Sequence, residues 1–175
     1  LAAAKIEGLV LEFGVRFGTS IRQIANFVDQ KVHGFDSFEG LSEDWHGWVY
    51  TKGHFDQAGK LPQVAENVEL IKGLIDDTLP NFLTNNNVEE KGIDFIHVDV
   101  DTYSPTKTIL QLCKPFFNDG CVIIFDDFYG YHGWKEHEFK AYEEELANDK
   151  SLNFKYEFIA FANRFQVALK ISKIK

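Results

Sequence analysis

The chain contains no methionine, not even at position 1. A translated chain starts with Met, so residues preceding Leu1, including an N-terminal lid segment, are expected to be missing. Cysteine is nearly absent: Cys113 and Cys121 are the only two, and they have no C-x-x-C spacing. That excludes a disulfide framework and a cysteine zinc site, and it suits a reducing compartment. No apolar run approaches the roughly 18 residues of a membrane span. No charged-then-apolar leader opens the chain. A cytoplasmic location without a membrane partner is therefore expected. Positive charge is also scarce, with 18 Lys and Arg against 27 Asp and Glu, for a net charge of −9. Such a surface argues against nonspecific binding to nucleic acid. It leaves room for a small cationic or sugar-like substrate.

What remains is an ordinary globular composition, 45% hydrophobic over 175 residues. That length fits one domain, 1–175, with a proper core. The sequence has no internal repeat and no linker. Its centre is IDFIHVDVDTYSPT, Ile93 to Thr106. An apolar run, broken only by Asp94 and His97, ends in Asp99 and Asp101. A second run, GCVIIFDDF, ends in Asp126 and Asp127. Open α/β sheets place ligands outside the carboxyl ends of their strands. The two acidic ends could therefore meet over one site and hold a hard divalent cation beside a nucleotide-like cofactor.

Read in order, Gly8 to Phe13 is a short strand ending after Glu12. The glycine turn Gly14 to Ser20 follows, then a helical pattern, SIRQIANFVDQ, with Ile21, Ile24, Ala25 and Val28 on one face. Strand, glycine turn and helix open a nucleotide-binding βαβ unit, although Gly14-x3-Gly18-x-Ser20 is not the dinucleotide G-x-G-x-x-G. Lys31 to Phe35 is the second strand. Asp36, about 20 residues past the turn, is placed either to bind ribose hydroxyls or to start the turn DSFEG. Glu39 to Lys60 is a long loop carrying Trp45, His46, Trp48, Tyr50, His54 and Phe55. It reads as a binding lid or as a flap packed on its own aromatics. Leu61 to Asn67 reads as a helical turn and Val68 to Ile71 as the third strand. In the next helix Asp76 and Asp77 suit the positive end of the dipole. Thr84 to Gly92 is a polar loop, and Ile93 to Val98 is the fourth strand.

Ser104-Pro105-Thr106 starts a helix running to about Phe117. Asp119-Gly120 turns into the fifth strand, Cys121 to Phe125. In Tyr129 to His137, His132 and His137 are either general bases or unpaired surface histidines. A charged helix covers Glu138 to Asn148. Phe154 to Phe161 and Phe165 to Ile171 form a hairpin across Ala162-Asn163-Arg164. The count is seven strands, with helices between the first five.

Five stretches in this order carry a resemblance: EFGVRFGTS (12–20), FDSFEGLSEDW (35–45), KGLIDDTLP (72–80), HVDVDTYSPT (97–106) and IIFDDFYGYHG (123–133). The chain resembles the class I S-adenosylmethionine-dependent methyltransferases, and within them the macrocin O-methyltransferase (TylF-like) family. The resemblance covers nearly the whole chain. It implies a Rossmann-like, doubly wound, seven-stranded sheet, mostly parallel, with an antiparallel last strand. It implies Glu12, Gly14, Gly18 and Ser20 around the methionine end of the cofactor, and Asp36 on the ribose. Ser37 and Phe38 would lie beside the adenosine, and Asp76 or Asp77 near the adenine. Mg²⁺ would be held by Asp99, Asp126 and Asp127. The acceptor would be a hydroxyl on a sugar or other small molecule, often in natural-product biosynthesis, and such enzymes often self-associate. Two positions depart from the pattern: Ser42 stands where Pro is usual, and the turn carries Arg16-Phe17.

Methyl transfer to oxygen needs a deprotonated hydroxyl. A hard cation with oxygen ligands binds that oxygen and lowers its pKa. Without a metal, clustered carboxylates repel and raise one another's pKa, so Asp99 or Asp101 could act as the base. The alternative for Asp101 is a purely structural cap. Two other functions fit parts of the pattern. Asp99-Val100-Asp101 is a D-x-D pattern of metal-dependent glycosyltransferases, and a non-catalytic binding protein could keep the fold.

Overall fold

A computed structural model describes residues 6–151, 153–162 and 164–174. The strands are β1 (Leu9–Phe13), β2 (Val32–Asp36), β3 (Val68–Lys72), β4 (Ile93–Val98), β5 (Phe117–Phe125), β6 (Phe154–Ala162) and β7 (Gln166–Lys173). The helices are α1 (Thr19–Ala25), α2 (Ile75–Asn85), α3 (Val88–Lys91), α4 (Tyr103–Cys113) and α5 (Glu138–Tyr142). One sheet runs in the order β3-β2-β1-β4-β5-β7-β6. β1 to β5 pair in parallel, and β7 enters antiparallel between β5 and β6. The expected mostly parallel sheet with an antiparallel last strand is thus present. Among the described residues no helix is long and apolar enough to cross a membrane.

Every residue of β1 is buried, as is nearly all of β4. Parallel strands covered on both faces need continuous apolar runs, which LVLEF and IDFIHV supply apart from their polar members. One face packs Leu11, Phe13, Ile96, Val98, Ile123 and Phe125 under Leu79, Ile109 and Leu110 of α2 and α4. The other packs Val10, Val32 and Phe95 under Ile21 and Ile24 of α1. The chain winds outward from β1 in one direction and from β4 in the other, so the switch point lies between these two strands.

Several local expectations are corrected. Leu61 to Asn67 forms no helix, only a single hydrogen-bonded turn at its end, where Val68 N donates to the Ala65 carbonyl at 3.0 Å. Its polar groups bond to α1 and its neighbours instead: Arg22 Nη1 donates to the Gln63 carbonyl at 2.9 Å, and Asn67 Nδ2 donates to the carbonyls of Ala25 and Val28. α1 stops at Ala25, and Val28 reaches the core from beyond the helix end. The polar loop after α2 holds the short helix α3. α4 ends at Cys113 and passes through a 3₁₀ turn, Lys114–Phe116. β5 begins at Phe117 rather than Cys121. Ile93 pairs with Phe117 and Phe95 with Val122, so Asp119-Gly120 lies in a bulge inside the strand. The charged helix changes to a π-helical turn over Glu143–Ala147. In the hairpin turn, Asn163 lies outside the described residues.

Candidate active site

Hydrogen bonds join the carboxyl ends of four adjacent strands. Gly14 N donates to the Phe35 carbonyl at 2.9 Å, Asp99 N to Phe13 at 2.8 Å and Asp126 N to Val98 at 3.0 Å. Parallel register sets these neighbours, with Phe13 opposite Val98 and Val98 opposite Phe125. The acids after β4 and β5 therefore stand beside the glycine turn after β1. Above them lies a cavity of about 400 Å³. Its wall includes Gly14, Asp36, Ser37, Phe38, Leu74, Ile75, Asp99, Asp101, Asp126 and Asp127. Leu41, Ser42, Trp45, Phe55 and Gln57 of the long aromatic loop close one side. This is the size range of small-molecule sites, about 300–1,000 Å³.

The loop packs on its own aromatics, as the second of its two sequence readings has it. Leu41 and Trp45 are buried with Tyr131, so the flap has its own aromatic core, and its inner edge lines the cavity.

The aspartates meet in two overlapping groups whose ligand atoms lie within 4.8 Å of one another. One is Asp99, Asp101 and Asp127; the other is His97, Asp99 and Asp126. Asp99 belongs to both. The expected trio of Asp99, Asp126 and Asp127 is split between the two: Asp99 stands with Asp126 and His97 in one group and with Asp127 and Asp101 in the other. Burial and the Asp126 carboxylate push Asp99 up to about 8. Burial, then Asp99 and Asp127, hold Asp101 well above the usual carboxylate range. Asp127 rises to about 6 through burial and Asp126, opposed by its hydrogen bond with Asp101. Asp101 thus keeps the proton of this pair. It also adopts a left-handed backbone, φ 63°, which is uncommon outside glycine and clusters at functional sites.

His97 was not singled out by its sequence position. It faces Glu12 across the β1–β4 pairing. Its Nδ1 lies 3.7 Å from Glu12 Oε2 and its Nε2 lies 3.5 Å from Asp126 Oδ1. These are ion pairs, too long for good hydrogen bonds. Burial alone would lower its pKa; Asp126 and Glu12 outweigh that and push it up to about 10. A polar residue inside an otherwise apolar buried strand was the available signal. Glu138 was also missed. It is fully buried in α5, and its Oε2 accepts a hydrogen bond from Asp127 N at 3.0 Å. Burial holds its carboxyl well above the ordinary range.

Asp36 does more than line the wall. Its Oδ2 accepts hydrogen bonds from Val15 N at 2.9 Å and Arg16 N at 2.7 Å, and its Oδ1 accepts one from Phe38 N at 2.7 Å. It clamps the glycine turn and starts its own turn. Glu12 is fully buried, and Ser20 Oγ donates to its Oε1 at 2.7 Å; of the four residues expected around the methionine end, only Gly14 is on the cavity wall. Gly18 caps α1 in a left-handed conformation. Neither Asp76 nor Asp77 lines the cavity; both are exposed in the first turn of α2, while Leu74 and Ile75 before them do line it. His132 is exposed. His137 is buried, with its Nε2 at 2.9 Å from the His46 carbonyl and its pKa lowered by burial.

A doubly wound sheet in this strand order, with a cavity over the switch point, defines the Rossmann-like methyltransferase class of fold. A family model described as a methyltransferase domain matches residues 11–128. The chain belongs to that family. Among solved structures it is similar to CalS11, a calicheamicin methyltransferase, with 22% identity and a TM-score of 0.70 over 93% of this chain and 72% of that one. It is similar to the O-methyltransferase NovP, with 20% identity and a TM-score of 0.68 over 96% of this chain and 73% of that one. It is also similar to MycE, a methyltransferase of mycinamycin biosynthesis solved with Mg and SAH, with 16% identity and a TM-score of 0.57 over 96% and 46% of the respective chains. At these identities the likeness carries the fold alone. A search of curated protein sequences found no match.

Proposed function

We propose that the protein is an S-adenosylmethionine-dependent, Mg²⁺-assisted O-methyltransferase acting on a hydroxyl of a sugar or other small molecule, in the manner of the TylF-like enzymes. One observation carries the reading: the aspartates after β4 and β5 open onto the same cavity as the glycine turn and Asp36. MycE, named with Mg and SAH, supports the pairing of cofactor and metal by analogy. Family membership favours methyl transfer over the D-x-D glycosyltransferase alternative.

The donor set fits a hard cation. Glu12, Asp99, Asp101, Asp126, Asp127 and Glu138 crowd together, and among the described residues only His97 forms an ion pair with any of them. Oxygen donors in excess of nearby positive charge suit Mg²⁺, whereas zinc prefers nitrogen and sulfur. In this reading Asp99, Asp126 and Asp127 hold the cation. Asp101, which would give up its own proton when a cation binds beside it, would then accept the proton of the acceptor hydroxyl. Glu12, Gly14, Gly18 and Ser20 shape the pocket for the methionine end of the cofactor. Asp36, Ser37 and Phe38 serve the ribose and adenosine, with Asp76 or Asp77 near the adenine edge. When bound, S-adenosylmethionine supplies an electrophilic methyl group and Mg²⁺ supplies a Lewis acid for the hydroxyl oxygen.

Calorimetric titration with S-adenosylhomocysteine, first with Mg²⁺ and then with EDTA, tests the reading. Binding in both conditions is expected, followed by Mg²⁺ binding to the complex that Asp99→Asn abolishes. No uptake of S-adenosylhomocysteine in either condition would sink the proposal and favour a non-catalytic role. Full Mg²⁺ affinity in Asp99→Asn would remove that residue from the site.

A further inference from the structure

Arg16 sits where the glycine turn departs from its expected pattern, and the fold puts it on the cavity wall. Asp36, Asp99, Asp101, Asp126 and Asp127 are the acids of that wall, and Arg16 is its one cation among the described residues. A mobile guanidinium in such company would pair with a carboxylate. Arg16 forms no side-chain ion pair or hydrogen bond with any described residue; it is held instead against two rings, 4.7 Å from the Phe17 centroid and 4.2 Å from that of Phe55. Its main chain is pinned as well. Arg16 N donates to Asp36 Oδ2, and the residue adopts a left-handed φ of 47°. The stack and the clamp keep a planar fork of five N–H donors free at a ligand-sized cavity. That fork matches a carboxylate or a phosphate.

We infer that Arg16 is the oxyanion-binding residue of this cavity, its guanidinium receiving a carboxylate or phosphate of a bound small molecule. The inference rests on the methyltransferase reading for its choice of ligands. Two sources share this chemistry. The carboxylate of the cofactor's amino-acid end is one, since Arg16 belongs to the turn expected to surround it. A phosphate on the acceptor is the other, since Phe55 belongs to the loop closing the cavity mouth.

The test compares wild type with Arg16→Gln by calorimetry, using S-adenosylhomocysteine, methylthioadenosine and thymidine diphosphate. Methylthioadenosine keeps the nucleoside and thioether but lacks the carboxylate. If the oxyanion is the cofactor's, the variant binds S-adenosylhomocysteine about tenfold more weakly or worse and methylthioadenosine unchanged. If it is the acceptor's, thymidine diphosphate loses affinity on that scale while both adenosine ligands hold. Either result supports the inference. Equal losses for S-adenosylhomocysteine and methylthioadenosine would mean that Arg16 only pins the loop, and would overturn it. So would a variant that binds all three ligands like wild type. A wild-type protein that takes up none of the three overturns both this inference and the proposed function, whereas losses confined to the variant bear on Arg16 alone.

Discussion

Gly14→Ala should damage both the fold and the metal site, and the structure gives the size of the damage. Gly14 has φ +91°, and a Cβ built there would stand 1.7 Å from the Asp99 carbonyl oxygen. An ordinary carbon–oxygen approach is about 3.3 Å, so one side must retreat by about 1.6 Å. Asp99 is tethered on its N-terminal side, where its N–H donates to the Phe13 carbonyl at 2.8 Å, so its carbonyl can retreat only by turning the peptide that follows. The left-handed backbone alone costs an alanine roughly 1–2 kcal/mol. With the clash added, the loss should exceed about 3 kcal/mol. For a chain of this length that corresponds to a fall in Tm of roughly 6–12 °C. Gly53→Ala is the control, since Gly53 has a similar φ of +82° with nothing within 4 Å of the added carbon. It should lose only the conformational part. Thermal unfolding of both variants separates clash from strain, and a Mg²⁺ titration of Gly14→Ala reads the displacement of Asp99. A Gly14→Ala protein no less stable than Gly53→Ala, or one with wild-type Mg²⁺ affinity, would refute the reasoning.

Other outcomes follow from the same geometry. In metal-free protein, stability should fall as pH rises from about 6.5 to 8, because Asp99 (about 8) and His97 (about 10) then hold protons that the unfolded chain has released. His33, lowered by burial to about 4, acts with the opposite sign only below its ordinary 6.5, so it leaves that window clear. Mg²⁺ should stabilise increasingly across the window, since its ligands must lose protons to bind it; a Tm in EDTA that climbs from pH 6.5 to 8 would contradict this. Asp36→Ala removes the acceptor for three backbone N–H groups. It should cost about 3 kcal/mol in chemical denaturation and weaken S-adenosylhomocysteine about tenfold or more, with Asp36→Asn between the two proteins. Glu138→Leu leaves Asp127 N without its acceptor and should weaken Mg²⁺ binding in calorimetry. Glu138→Gln keeps an acceptor oxygen and should stay near wild type; equal effects of the two changes would show that the hydrogen bond is not what matters.

Much of the fold was readable because its cause is local. LVLEF and IDFIHV are apolar enough to be buried on both faces, and each is followed by a turn or a helix start. β4 spans the residues expected of it. Where the local signal was weak, the expectation slipped. Leu61 to Asn67 lacks a helix because Arg22 and Asn67 tie that stretch to α1. β5 starts early because Phe117 pairs with Ile93 across a bulge. Neither partner is near in sequence.

The candidate site divides in the same way. Two strands that release acids at their carboxyl ends are a feature of the sequence by itself, and so are the glycine turn and the acid after the second strand. Strand order and register alone decided which of these acids share space. They set His97 opposite Glu12 and bring Asp126 beside it, grouping Asp127 instead with Asp101. They also carry Glu138 beneath Asp127 and turn Arg16 toward the cavity. A side chain's type is written in one position. Its charge state and its partners come from burial and from neighbours supplied by other strands, and only the packed sheet provides those.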